Sequence, residues 1–187
     1  MEKSRCTWCL SNPLMIEYHD KEWGVPLHND QKLFEFFVLD AFQAGLSWNT
    51  IINKRKNFEK AFDKFNPEKI AKYTDKDFQR LMDDAGIIRN KQKIQATIIN
   101  AQQFLKIKEE FGSFDKYIWQ FVSHSPIKNS HSSLSNLPAK THISDAMSVD
   151  LKKRGFKFVG STICYAFMQA SGMVNDHLVS CFRYNEV

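Results

Sequence analysis

The chain has 187 residues, of which 43% are hydrophobic, 25% charged and 13% aromatic; that is enough apolar material for one packed domain or two small fused ones, and too little length for a multidomain machine. Lys and Arg number 26 against 21 Asp and Glu, a net charge of +5, a mild excess that suits a polyanionic partner without identifying one. No stretch approaches the roughly 18 apolar residues of a membrane span, and the polar start from Met1 to Trp8 lacks the apolar core of a secretion signal, so a cytoplasmic protein with no membrane partner is expected.

With only 7 Gly and 5 Pro, a turn-rich sandwich or barrel is disfavoured and helices are expected. Leu33, Phe34, Phe37, Val38 and Ala41 trace one helical face from Asp30, the expected N-cap, to Phe42. After Gly45, Trp48, Ile51 and Ile52 predict a second helix running into Lys54, Arg55 and Lys56, and Asn66-Pro67 opens a third. Thr74 and Asp77 cap a helix over Asp75 to Asp83, Asn90 to Phe111 reads as a long amphipathic helix stopped by Gly112, and Phe114 to Val122 as a short aromatic one. Ser123 to Ile143, rich in Ser, His, Asn and Pro, is the main loop. Ser144 is expected to cap a helix ending at Arg154, and Ser161 or Thr162 to start the last one, ending at Gly172. No coiled-coil pattern or internal repeat is present, and a monomer is expected.

Two constellations carry chemistry. Lys152 to Thr162 places a basic helix end, Gly155, Gly160 and a new helix N-terminus within a few residues. Close-approaching backbone, exposed N–H groups and lysines suit a DNA phosphate, with Lys157, Gly160, Ser161 and Thr162 as candidate contacts. In the plainer alternative Gly155 only ends a helix and Phe156, Phe158 and Val159 only fill the core. Near the termini, Cys6, Cys9 and His19 face His177 and Cys181 across the length of the chain. These ligand types suit zinc, with His177 and Cys181 expected on one helical face; spacing alone leaves open Cys6, Cys9, His177, Cys181 or the same set with His19 in place of Cys9. Either set fills a structural site, which disfavours a zinc hydrolase. Cys164 reads as core.

Tyr18-His19-Asp20-x-Glu22-Trp23-Gly24-Val25-Pro26, Gln43-Ala44-Gly45-Leu46-Ser47-Trp48, Asp84-Ala85-Gly86-Ile87-Ile88-Arg89 and Lys152 to Gly160, continued by Asn175-Asp176-His177, together resemble the bacterial 3-methyladenine DNA glycosylase I family over nearly the whole chain. The resemblance implies an all-α helix-hairpin-helix fold with a structural zinc joining the N- and C-termini through Cys6, His19, His177 and Cys181. It also implies excision of 3-methyladenine from double-stranded alkylated DNA, with the free base as product. The base pocket falls on Trp8, Tyr18, Asp40 and Trp48. Residues 1–187 are expected to form a single compact unit, divisible into a central helical part (about 20–143) and a terminal part (1–19 and 144–187) bearing zinc and hairpin. Two departures stand out: Asp40 where the family normally has Glu, and Met15 where it commonly has Tyr.

The residue types suit this chemistry. Methylation at adenine N3 leaves the base cationic and a good leaving group, so what remains is to flip it, hold it and supply water. Trp48, Trp8 and Tyr18 could sandwich the cation, each contributing about 0.5–2 kcal/mol, while Asp40 accepts from the exocyclic amine. Asp176, after the hairpin, is a rival catalytic carboxylate, although its neighbour His177 favours a supporting role at the metal. Leu46 is a candidate wedge for the vacated duplex position, with core packing the stronger expectation. The Ser123 to Ile143 loop is where function is least expected. A non-catalytic zinc-stabilised DNA-binding or damage-sensing module shares all these features except base release.

Overall fold

The computed structural model describes residues 3–187, and its first helix, α1 (Pro13–Lys21), is one that the spacing of apolar residues did not announce. Asn12 accepts the backbone N–H of Met15, and Pro13 at the first helical position has no donor to lose. Met15, Tyr18 and His19 then share one buried face at the three- and four-residue spacing of a helix.

Helix α2 (Asp30–Gln43) agrees with expectation except at its cap. Asn29 accepts from Lys32, while Asp30 takes the backbone N–H groups of Phe114 and Asp115 and so fixes the start of α7 (Phe114–Trp119). Helix α3 (Trp48–Ala61) is capped by Ser47. Between α2 and α3, Gly45 sits at φ +77°, a left-handed value that favours glycine. At the tip of this turn Leu46 stands 39% exposed, which overturns its reading as core. Single-turn α4 (Pro67–Ile70), α5 (Asp75–Asp83) with its Thr74/Asp77 capping box, and α6 (Lys91–Phe111), capped by Asn90, follow as expected. The predicted Phe114 to Val122 helix tightens into a 3-10 turn after Trp119.

Helix α8 (His142–Lys153) starts before Ser144: Thr141 is its cap, and Ser144 closes a reciprocal capping box. Helix α9 (Ser161–Ala170) follows Gly160. The Ser123 to Ile143 segment is more structured than a loop. Its β1 (Ile127–Lys128) pairs in parallel with β2 (Val174–Asn175), Ile127 opposite Val174 and Lys128 opposite Asn175, fastening the segment to the C-terminal stretch. The architecture is helical with this small addition, and no helix among the described residues is long and apolar enough to cross a membrane.

The core is organised around α2, buried from Leu33 to Phe42 and packed against α3, α6, α7 and α9. Phe34, Phe104 and Phe114 meet at ring separations of 4.9 and 4.3 Å; each buried ring contributes about 1.5–3 kcal/mol. The segment after α1 is drawn onto the end of α9 by backbone bonds from Gly24 to Gln169 and from Leu27 to Ser171, both 3.0 Å. There Gly172, at φ +69°, lies so close to Val25 that a Cβ would fall 2.2 Å from the Val25 carbonyl carbon.

Candidate active site and metal centre

A cavity of about 200 Å³ is lined by Trp8, Tyr18, Trp23, Asp40, Gln43, Trp48, Leu137, Ala166 and Gln169. All four pocket residues expected from the sequence are present: Trp8 from the first 3-10 turn, Tyr18 from α1, Asp40 from α2 and Trp48 from the first turn of α3. Met15 lies in the core, 5% exposed, outside the cavity wall. The sequence reading missed Trp23, Gln43, Leu137, Ala166 and Gln169. Trp23 and Gln43 lie inside motifs it had quoted, and Ala166 and Gln169 share a face of α9 at a spacing of three. Leu137 comes from the segment where function was least expected.

The ring arrangement leaves no slot between Tyr18 and Trp48. Tyr18 and Trp48 touch at 5.1 Å and 45°, closer than the two stacking distances of about 3.5 Å each that an intervening base needs. Trp8 meets Tyr18 edge-on at 6.3 Å and Trp23 at 5.0 Å. The aromatic residues make a wall with varied faces. Within it, Asp40 Oδ2 and Trp48 Nε1 are both buried and meet no hydrogen-bond partner among the described residues, an arrangement that costs about 1–3 kcal/mol per group until a ligand supplies the partner. Asp40 is 3% exposed, and burial alone pushes its carboxyl well above the usual carboxylate range. Burial likewise holds the Tyr18 hydroxyl neutral.

Behind Trp8 and Trp23 the two chain ends converge. One ligand atom each of Cys6, His19, His177 and Cys181, all four residues buried, lie within 4.8 Å of one another. Cys181 Sγ stands 3.5 Å from His19 Nε2 and 3.6 Å from His177 Nδ1, and Cys6 Sγ 3.9 Å from His177 Nδ1. A tetrahedral zinc with ordinary bond lengths separates sulfur from nitrogen by about 3.6 Å, so the donor set fits a metal. Cys9 is outside the cluster, its thiol donating to the Cys6 carbonyl. The expectation of a helix bearing His177 and Cys181 fails: after α9 and β2 the chain makes turns, the His177 N–H donating to Asn175 Oδ1 and the Cys181 N–H to the Leu178 carbonyl.

The outer nitrogens of both histidines are occupied. His19 Nδ1 lies 2.8 Å from Asp20 Oδ1, itself held by the Arg5 guanidinium, and His177 Nε2 lies 3.0 Å from the Trp23 carbonyl. This turns the other nitrogen of each ring to the cluster. Burial pushes the Cys6 thiol up to about 12 and His177 down to about 4, so the thiolate a metal needs forms only beside a cation. Asp176 makes no hydrogen bond to the cluster and reaches the cavity wall only through Gln169. Its carboxylate accepts from Asn129, Tyr165 and Gln169 at 2.7–2.8 Å, so it orients Gln169 and ties β1 to α9, which corrects the expected role at His177.

At the proposed DNA face, Lys157 and Thr162 are exposed and Gly160 partly so, while the Ser161 hydroxyl is taken by Asp145 and lies 3.0 Å from Ser144 Oγ. Arg154 is engaged by Asp150 and Glu110. No side chain caps α9, which leaves its first N–H groups open.

The methyladenine glycosylase family matches residues 8–184. DNA-3-methyladenine glycosylase 1 of Escherichia coli is 51% identical over 180 residues, 96% of each chain. A crystal structure of 3-methyladenine DNA glycosylase I superposes with a TM-score of 0.93 at 49% identity, covering 96% of this chain and 98% of that one. A single-residue variant of 3-methyladenine DNA glycosylase I, solved in complex with 3-methyladenine, superposes at 0.92 with 35% identity, covering 95% and 96%. Likeness in sequence and in fold thus extends over almost the whole length, and the chain belongs to the methyladenine glycosylase family.

Proposed function

We propose that this chain is a DNA repair enzyme that flips 3-methyladenine out of alkylated duplex DNA and hydrolyses its N-glycosidic bond. The observation that carries this reading, in a member of this family, is the pair of unpartnered polar atoms, Asp40 Oδ2 and Trp48 Nε1, buried in the aromatic wall of one cavity. A flipped base supplies an amine to the carboxylate and π-faces to the rings.

The bond from the sugar to the base breaks with its electron pair leaving on the base, whose ring charge is thereby neutralised. Water adds its oxygen to the sugar carbon and gives up a proton. Positive charge thus passes from base to sugar as reaction proceeds. A pocket that favours the cation holds the substrate at least as firmly as the transition state, so Asp40 and the rings select the damaged base and the weakened bond supplies much of the rate. An ionised Asp40 is what the cation favours, because a neighbouring positive charge opposes the burial that otherwise keeps the carboxyl protonated.

The Cys6, His19, His177 and Cys181 cluster is assigned to zinc. Four protein donors leave no place for a reacting water, so the ion's contribution is to join the chain ends and brace Trp8 and Trp23 against the cavity. The α8–α9 connection is assigned as the helix-hairpin-helix element, with Lys157, Gly160, the Ser161 backbone N–H and Thr162 at a phosphate and exposed Leu46 as the wedge. Packing of α2 against both α6 and α9 supports one working unit. Release of free 3-methyladenine from methylated duplex DNA tests the reading; binding of such DNA without release would favour a damage sensor.

A further inference from the structure

Helix α6 carries two buried polar side chains that reach out of its own element to the backbone of another. Lys93, 7% exposed, donates from Nζ to the Phe42 carbonyl at 2.8 Å and the Ala44 carbonyl at 2.6 Å. Its partners are the carbonyls of the last turn of α2 and of its C-cap, at the head of the turn that carries Gly45 and Leu46. Asn100, 1% exposed, grips Lys157 with both ends of its amide: Oδ1 accepts the Lys157 N–H at 2.8 Å and Nδ2 donates to the Lys157 carbonyl at 3.0 Å. The next residue, Phe158, is at φ +54°, a strained value for a side chain of this size that the clamp beside it helps to hold. Ser148 fixes the far side of the same loop by donating to the Val159 carbonyl at 2.6 Å.

Seven residues separate Lys93 from Asn100, which places them on nearly one face of α6 about 10 Å apart. Between and beyond them α6 is anchored by buried Ile94, Ala101, Phe104 and Ile107. We infer that α6 is a fixed spacer between the two DNA-facing elements, Lys93 being the positioning residue for the Leu46 turn and Asn100 the positioning residue for the Lys157 hairpin. Backbone grip and base extrusion are thereby kept in register. The inference rests on the hairpin and wedge assignments made above.

Steady-state excision on methylated duplex DNA tests it, read beside binding of free 3-methyladenine by tryptophan fluorescence and beside thermal melts. Lys93→Met lowers kcat tenfold or more with KM within twofold, because extrusion fails while the hairpin still binds. Asn100→Leu raises KM tenfold or more with kcat within twofold. Both keep free-base affinity within twofold, since neither touches the cavity. Lys93→Gln and Asn100→Ser, milder changes, give the same split at smaller amplitude if either first variant fails to fold. Loss of kcat and KM together in proportion to loss of Tm overturns the spacer, and so do unchanged kinetics in both variants while Lys157→Ala raises KM. An unchanged KM in Lys157→Ala instead overturns the hairpin assignment on which the spacer rests.

Discussion

Asp40 is a carboxyl group placed where its charge is costly. With a pKa raised in the folded state by burial, it binds its proton more tightly folded than unfolded, so the cost is absent at a pH below its ordinary 3.8 and grows as pH rises toward the folded value. Replacing it with Asn removes that pH-dependent cost. The Tm of Asp40→Asn relative to wild type should therefore climb between pH 4 and pH 8, each kcal/mol being worth about 2–4 °C in a chain of this size; a flat difference across that range, read by calorimetry, would mean that Asp40 is ionised in the empty pocket. Asp176 presents the opposite case, a buried carboxylate that accepts from Asn129, Tyr165 and the cavity-lining Gln169 and lies 3.3 Å from His131 Nε2. Asp176→Asn turns one accepted bond into a donor–donor clash and should cost about 1–3 kcal/mol of stability, with turnover per folded molecule changed less than threefold. Normal stability with lost turnover would make it catalytic after all.

At the scale of elements, close backbone approach does as much as capping. Gly172 lets the end of α9 meet the Val25 segment, which in turn brings Trp23 and α1 to the cavity and the Cys/His cluster. Gly172→Ala combines a left-handed strain with a backbone clash and should cost about 2–5 kcal/mol; a Tm within 2 °C of wild type would show that the two segments are free to part. Elements with regular apolar spacing and a good cap, such as α2, α5 and α6, were legible in the sequence nearly to the residue. Helix α1 was not, although Asn12-Pro13 repeats the Asn66-Pro67 signal read correctly at α4, because its buried face is made of Met15, Tyr18 and His19, which do not look like an apolar stripe. The placement of Leu137 was illegible for another reason. Its segment is fastened, ten residues earlier, by a parallel pairing with a stretch far away in the chain, and nothing local to Ser123 to Ile143 encodes that pairing. The His177–Cys181 spacing suggested a helix because four residues make a turn; a pair of chain reversals brings the same two side chains together.

Across the whole molecule, Trp8 and Trp23 line the cavity and pack against the histidines of the Cys/His cluster, so the closure of the chain on itself and the shape of the pocket are one arrangement. Removing zinc with a chelator, followed by metal analysis and melting, should lower Tm by about 10 °C or more, with excision lost in step with the folded fraction; complete metal loss without a change in Tm would remove the ion from the architecture. The central claim is that an acidic side chain buried in an aromatic wall selects a cationic flipped base. Its most direct test is the rate of 3-methyladenine release from methylated duplex DNA at sub-saturating concentration, wild type against Asp40→Asn. Loss of a charge-assisted hydrogen bond predicts a fall of about 10- to 100-fold in a protein at least as thermally stable as wild type, whereas undiminished release by Asp40→Asn would contradict the claim.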